Sequence, residues 1–161
     1  MGLSGAKWQV FKGINNINID AKGRVAVPAR YRANIESQAA SRLVVTIDTE
    51  DKCLLLYTLP EWERIEQKIV SLPTFNKTTR RIQRLLIGHA TDLELDSQGR
   101  VLLPSQLREY AGITKKITLI GQGNKFEIWS YEHWQKSCEE WIKEDSLDVA
   151  GLPDELSGIS V

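Results

Sequence analysis

The chain has 161 residues, 42% of them hydrophobic and 26% charged, with 21 Lys+Arg balanced by 21 Asp+Glu. Such a composition fits one compact domain or two small ones, and no apolar run reaches the roughly 20 residues of a membrane helix. Two histidines, and two cysteines far apart (Cys53 and Cys138), offer no zinc spacing and no disulfide framework. The cysteines read as small buried residues of a reducing compartment. Met1 to Trp8 has no charged-then-apolar leader. No P-loop, G-x-G-x-x-G or Gly-x-Ser-x-Gly motif occurs, which argues against an enzyme.

The charge is unevenly spread. Residues 1–86 carry 14 Lys+Arg against 8 Asp+Glu, and residues 87–161 carry 7 against 13. A basic half suits a polyanion partner, although chance clustering of surface charge gives the same numbers.

In chain order, the first pattern is Ile17-Asn18-Ile19, alternating as a strand does, running into Asp20-Ala21-Lys22-Gly23-Arg24-Val25-Ala26-Val27-Pro28. Ala29–Ile35 is then a short helical candidate. Two β-rich runs come next, Leu43–Ile47 and Cys53–Tyr57, joined by the polar connector 48–52. A helix opens at Thr58, with Thr58 placed to cap it, Glu61 at the reciprocal capping-box position and Pro60 in its first turn. Its apolar stripe is Trp62, Ile65 and Ile69. Residues 77–87 carry Ile82, Leu85 and Leu86 at helical spacing, so a connecting helix is expected there and not a flexible linker.

The pattern then returns 76 residues later as Leu95-Asp96-Ser97-Gln98-Gly99-Arg100-Val101-Leu102-Leu103-Pro104. A repeat of this length implies one structural unit used twice. A helix candidate 105–111 ends at Gly112, a fitting C-cap. The runs Ile117–Ile120 and Phe126–Trp129 flank the connector 121–125, and a closing helix from Ser130 carries Trp134, Cys138, Trp141 and Ile142 on one face. Trp62, Trp134 and Trp141 are therefore assigned to the core. The first copy has four extra residues between turn and closing helix, since the two copies realign at an offset of 72 by that point. From Asp145 onward periodicity fades, and a loosely ordered tail over 145–161 is expected. A unit of about 50 residues buries little core alone, so the two copies are expected to pack as a pseudo-symmetric pair.

The turn itself has chemistry. Asp20 can accept from backbone N–H groups two residues on and start the turn. Gly23 can take a positive φ. Arg24 is then held in a fixed direction, and its planar fork suits phosphate or guanine. Lys22 adds a second charge, with Lys12, Arg30, Arg32 and Arg42 nearby in sequence. Residues 7–42 hold seven Lys+Arg against two Asp+Glu. The plainer alternative is an Asp20–Arg24 ion pair that merely braces the hairpin, the commoner outcome for an isolated D-x-x-x-R. The second copy has Gln98 in place of the lysine and acids (Asp92, Glu94) beside it, so if the motif binds DNA the first copy should bind better.

Residues 17–32, together with Cys53–Tyr57 and Pro60-Glu61-Trp62, Arg80–Ala90 and Asn124–Trp129, closely resemble the MraZ family of bacterial transcriptional regulators. The resemblance covers about Phe11 to Trp141; the ten residues before Phe11 have no counterpart in it. It implies a mainly β protein with peripheral helices (α+β): two tandem swapped-hairpin SpoVT/AbrB-type units, 15–62 and 91–134, forming a pseudo-symmetric double-split β-barrel-like core. Connecting helices would fill 63–90. It further implies a homo-oligomeric ring that binds double-stranded DNA at short direct repeats in the promoter of its own division and cell wall gene cluster, in the cytoplasm and at the nucleoid. The family's DNA contacts carry onto Asp20 and Arg24, and onto Asp96 and Arg100, with Lys22 inside the first motif and Lys12, Arg30 and Arg32 as supporting cations. No catalytic residue, metal, cofactor or membrane partner is implied. An antitoxin-like partner binder of the same fold is the alternative.

Overall fold

The computed structural model describes residues 10–144. The chain divides into two compact units, Met1–Tyr131 and Glu132–Val161. The first unit is taken first.

Its strands are β1 (Phe11–Asn18), β2 (Arg24–Ala26), β3 (Arg42–Ile47), β4 (Leu54–Thr58), β5 (Thr91–Glu94), β6 (Arg100–Leu102), β7 (Lys116–Gly123) and β8 (Phe126–Ser130). Helices α1 (Ala29–Ala39), α2 (Leu59–Val70), α3 (Lys77–Ile82) and α4 (Ser105–Tyr110) lie between them. Six strands form one antiparallel sheet in the order β1-β7-β8-β4-β3-β5, and β2 and β6 form a separate two-stranded ribbon. The sheet ends at two edges, β1 and β5, and is not a closed barrel. The architecture is α+β with antiparallel sheets.

The pairings cross between repeats. The first strand of repeat one, β1, lies against β7 of repeat two, with Ile17 opposite Ile117. The first strand of repeat two, β5, lies against β3 of repeat one, with Leu93 opposite Leu43. The ribbon pairs Val25 with Val101, residues at counterpart positions of the two repeats.

Strands β3 and β4 are apolar on both faces, apart from the buried Thr46 and Thr58 and the exposed Arg42, because both of their faces are covered. Leu43, Val45, Ile47, Leu54 and Leu56 point into the main core with Val25, Val101, Ile117 and Ile128. Val44, Leu55 and Tyr57 face the other way and pack with Trp62 of α2. Each such large apolar side chain, fully buried, contributes about 1.5–3 kcal/mol.

Several local expectations change. Thr58 makes no side-chain cap bond to α2. It is buried at the end of β4, and Glu61 is turned to Arg64 and to Asn124 Nδ2, the latter at 2.8 Å; the Pro60 ring at the helix start stands as expected. Strand β4 begins at Leu54, because Cys53 closes the connector by donating its N–H to Asp51 O. Strand β7 extends through Gly123, so the β7–β8 connector is only Asn124 and Lys125. The connecting helix is α3 followed by a π-helical turn, Gln83–Ile87. Its break in period turns Leu85 onto the main core and Ile87 onto the Trp62 cluster. Helix α1 has 11 residues and α4 has 6, but the link after α4 is longer, so two of the extra residues of the first copy fall before β3 and two in the β3–β4 connector. Helix α4 ends in a paired 6→1 and 5→2 closure, Ile113 N–H to Arg108 O and Gly112 N–H to Glu109 O.

In the second unit the described residues continue α5 (Tyr131–Lys143). Trp134 and Trp141 meet edge to face at 5.8 Å. Trp141 is 45% exposed, so it is not the core residue its helical spacing suggested. Cys138 is partly exposed, whereas Cys53 is buried as expected, and both are free thiols. The ten leading residues, apart from Val10, and the expected loose tail lie outside the described residues. Among the described residues no helix is long and apolar enough to cross a membrane.

Candidate nucleic-acid interface

The two D-x-x-x-R segments fold into the same turn, bond for bond. In the first, Gly23 N–H donates to Asp20 O at 3.0 Å and Asp20 N–H to Arg24 O at 3.0 Å. Asp20 Oδ1 accepts from the Lys22 and Arg24 backbone N–H groups at 2.9 and 2.8 Å. Its Oδ2 accepts from Arg24 Nε at 2.7 Å. In the second, Gly99 N–H reaches Asp96 O and Asp96 N–H reaches Arg100 O, both at 2.9 Å. Asp96 Oδ1 takes the Gln98 and Arg100 N–H groups at 2.8 and 2.9 Å, and Oδ2 takes Arg100 Nε at 2.9 Å. One carboxylate thus starts the turn, closes it and orients the arginine. The bracing ion pair is present in both copies, but it engages Nε and leaves the two Nη amines for other acceptors. Backbone N–H of Arg24, then its guanidinium, holds the Asp20 carboxyl down to about 2. The same kinds of bond from Arg100 and Gln98 lower Asp96. Both turns are therefore ionised and intact across the physiological range.

The ribbon ties the turns to each other. Val27 N–H donates to Gly99 O and Leu103 N–H to Gly23 O, both at 2.9 Å. In the ladder Arg24 stands opposite Leu102, and Ala26 opposite Arg100. Side chains alternate along a strand. Val25 and Val101 take the inner face and are buried; Arg24 and Arg100 leave from the outer face together. Half-buried side chains (31% and 27% exposed) fix both guanidinium groups at the surface.

The glycines are required twice. Gly23 has φ +91° and Gly99 φ +74°, conformations that L side chains resist. Each also lies under an arginine of the other repeat. A Cβ on Gly99 would collide with Arg32 Nε, and one on Gly23 would come within 2.8 Å of Arg108 Cζ. Arg32 is held by its own Val27 O at 2.6 Å, and Arg108 by its own Leu103 O at 3.1 Å.

The predicted cations therefore fall into separate places. Lys22 and Arg24 share the first turn, and Arg100 stands beside them on the ribbon. Arg32, close to the first turn in sequence, lies on the second. Arg30 turns instead to Tyr31 and Asn15, donating from Nη2 to Tyr31 Oη at 2.9 Å and to Asn15 Oδ1 at 2.8 Å; Lys12, on β1, meets Tyr31 through its backbone carbonyl, which accepts from Tyr31 Oη at 2.5 Å. Arg42 stands opposite Glu94 in the β3–β5 ladder. Sequence reasoning missed Arg108, although it stands 76 residues after Arg32, the spacing of the repeat itself.

Away from the ribbon, Asp48, Cys53 and Glu127 bring a carboxylate, a thiol and a second carboxylate within 4.8 Å of one another. The thiol donates to Asp48 Oδ2 at 3.6 Å. Burial, with Glu127 and Asp48 beside it, pushes the Cys53 thiol far up, so it stays protonated and inert.

Fold and ribbon together define a two-repeat β protein that presents a pair of carboxylate-anchored arginines from one small surface. The family profile described as "MraZ protein, putative antitoxin-like" matches the chain twice, over residues 10–85 and 86–150. A "Transcriptional regulator MraZ" of Coxiella burnetii (strain Dugway 5J108-111) is 55% identical over 152 residues, 94% of this chain and 100% of that protein. The protein of that name from Legionella pneumophila (strain Corby) is 53% identical over the same shares. One from Thioalkalivibrio sulfidiphilus is 54% identical over 136 residues, 84% of this chain and 90% of the relative. The chain belongs to the MraZ family, a family of transcriptional regulators and not of enzymes.

Proposed function

We propose that this chain is a sequence-specific DNA-binding regulator that acts on the promoter of its own division and cell wall gene cluster and reads short direct repeats through its D-x-x-x-R turns. The observation that carries the reading is the ribbon: Arg24 and Arg100 emerge from one face, each fixed by an aspartate, with Nη groups left for phosphate or guanine. The reading units are 15–62 and 91–134, SpoVT/AbrB-type swapped hairpins around a double-split barrel-like core, a reading supported by the crossed pairings β1–β7 and β3–β5. It works in the cytoplasm, at the nucleoid.

One ribbon carries few charges, so a single subunit binds weakly. A homo-oligomeric ring presents several ribbons to tandem repeats and gains affinity by multivalency. Fluorescence anisotropy on duplexes with one, two and three upstream repeats tests this, across salt. Affinity rises with repeat number, and the log–log salt slope steepens by about 0.9 per phosphate neutralised. Equal affinity for one repeat and three, or a slope near zero, overturns the multivalent reading. The antitoxin-like wording of the family description favours a second reading, a partner binder without DNA; indifference to a scrambled duplex would favour it.

A further inference from the structure

Two arginines outside the D-x-x-x-R motif, Arg32 on α1 and Arg108 on α4, lie against the turns, and they are crossed. Arg108 belongs to repeat two, is held by Leu103 O of repeat two, and lies against Gly23 of repeat one. Arg32 belongs to repeat one, is held by Val27 O of repeat one, and lies against Gly99 of repeat two. Leu103 and Val27 are also the residues whose N–H groups reach across to Gly23 O and Gly99 O. Each turn is therefore gripped by the opposite repeat at two points, a backbone bond and a guanidinium plane. Its own repeat supplies the aspartate carboxylate and the turn's internal backbone bonds.

We propose that Arg108 and Arg32 are positioning residues that hold the opposite repeat's reading turn, so that each turn's DNA contact depends on an arginine of the other repeat. The planar guanidinium is what the site uses. It lies flat where a Cβ would not fit and spends Nε on a carbonyl. A lysine amine has neither the plane nor the Nε. The role in DNA binding rests on the proposed function as a DNA-binding regulator; the crossed grip itself rests only on the geometry.

The test has one arm without DNA and one with it. In the free, full-length protein, amide exchange is followed for the N–H groups that Asp20 and Asp96 accept. Arg108→Ala speeds exchange at Lys22 and Arg24 several-fold, through loss of the guanidinium packed on Gly23, and leaves Gln98 and Arg100 unchanged. Arg32→Ala does the reverse. Exchange that rises in the variant's own repeat, or equally in both turns, overturns the crossed grip.

In the second arm, binding to the upstream duplex is measured in double-mutant cycles. Arg108→Ala and Arg24→Ala give a loss far below the sum of their separate effects, whereas Arg108→Ala and Arg100→Ala add. Arg108→Lys does not restore affinity, and the salt slope of Arg108→Ala equals the parent's. Restoration by lysine, with a slope that falls in the alanine variant, would make Arg108 a direct phosphate contact and overturn positioning. A parent that ignores the duplex sinks the DNA reading alone, because the exchange arm still decides the grip.

Discussion

The two turns are alike in every backbone bond and differ at two inner positions, one of them the uncharged pair Ala21 and Ser97, and in their neighbours. Lys22 stands in the first where Gln98 stands in the second. The second comes after β5, which carries the exposed acids Asp92 and Glu94. Matching geometry with unequal charge separates two contributions that are otherwise hard to pull apart. Shape is set by aspartate and glycine and is the same in both; attraction for a polyanion is set by the variable positions. The ion pair within each turn is thus both brace and aiming device, and the bracing and DNA-reading interpretations of D-x-x-x-R are compatible.

The largest expected effect comes from breaking the stronger turn. Arg24→Ala nearly abolishes binding to the upstream duplex in a gel shift, with little change in Tm, because Arg24 contributes charge and direction and no core volume. Equal affinity of variant and parent would remove the first turn from the interface. Arg100→Ala comes second, with a smaller loss in the same assay. Indistinguishable losses would mean that shape alone governs, and that Lys22 and the β5 acids count for nothing.

Making the turns equal sharpens the comparison further. Gln98→Lys keeps the backbone bond to Asp96, since Gln98 contributes its N–H there. It raises affinity and steepens the salt slope by about 0.9 for one added phosphate contact. An unchanged slope would place the second turn away from DNA.

The smallest effect is in acid. Asp20 titrates at about 2 in the fold against an ordinary 3.8. A carboxylate with a depressed folded pKa adds stability above its unfolded value and loses it as pH falls through the folded one. Its contribution is thus complete above about pH 4 and disappears towards pH 2. Comparing Tm of Asp20→Asn with the parent from about pH 6 down to about pH 2 should show a gap that closes over that window. A gap that stays constant would mean that Asp20 stabilises through shape and not through charge.

How much of the molecule was legible depends on sequence separation. The turns were readable because Asp20, Gly23 and Arg24 interact within five residues, and the repeat doubled the signal. The helices were readable from Pro28, Pro60 and the stripe around Trp62. The capping box failed because burial of Thr58 and the Arg64 and Asn124 partners of Glu61 won over local geometry. Trp141 failed because helical spacing shows that residues share a face and not that something covers it. The crossing of strands between repeats lies in no local pattern: alternation marks Ile17 as inward-facing but does not say which strand it meets. Arg108 was hidden for the same reason, since its purpose appears only when the other repeat's glycine is beneath it.

Because β1 pairs with β7 and β5 pairs with β3, neither repeat is a detachable module. A fragment ending near Leu72 would keep β3 and β4 but lose the partners of β1 and β2. Its natural remedy is a second fragment, with β1 of each laid on β3 of the other and two identical turns back to back. The intact chain is in effect that dimer written as one polypeptide, with α3 and the π-helical turn as its splice. Joining the halves makes their meeting intramolecular and independent of concentration. It also frees the two turns to diverge: a symmetric dimer must present the same face twice, whereas a fused one can carry a lysine on one side and a glutamine on the other. Asymmetry of that kind gives the ribbon two unlike ends.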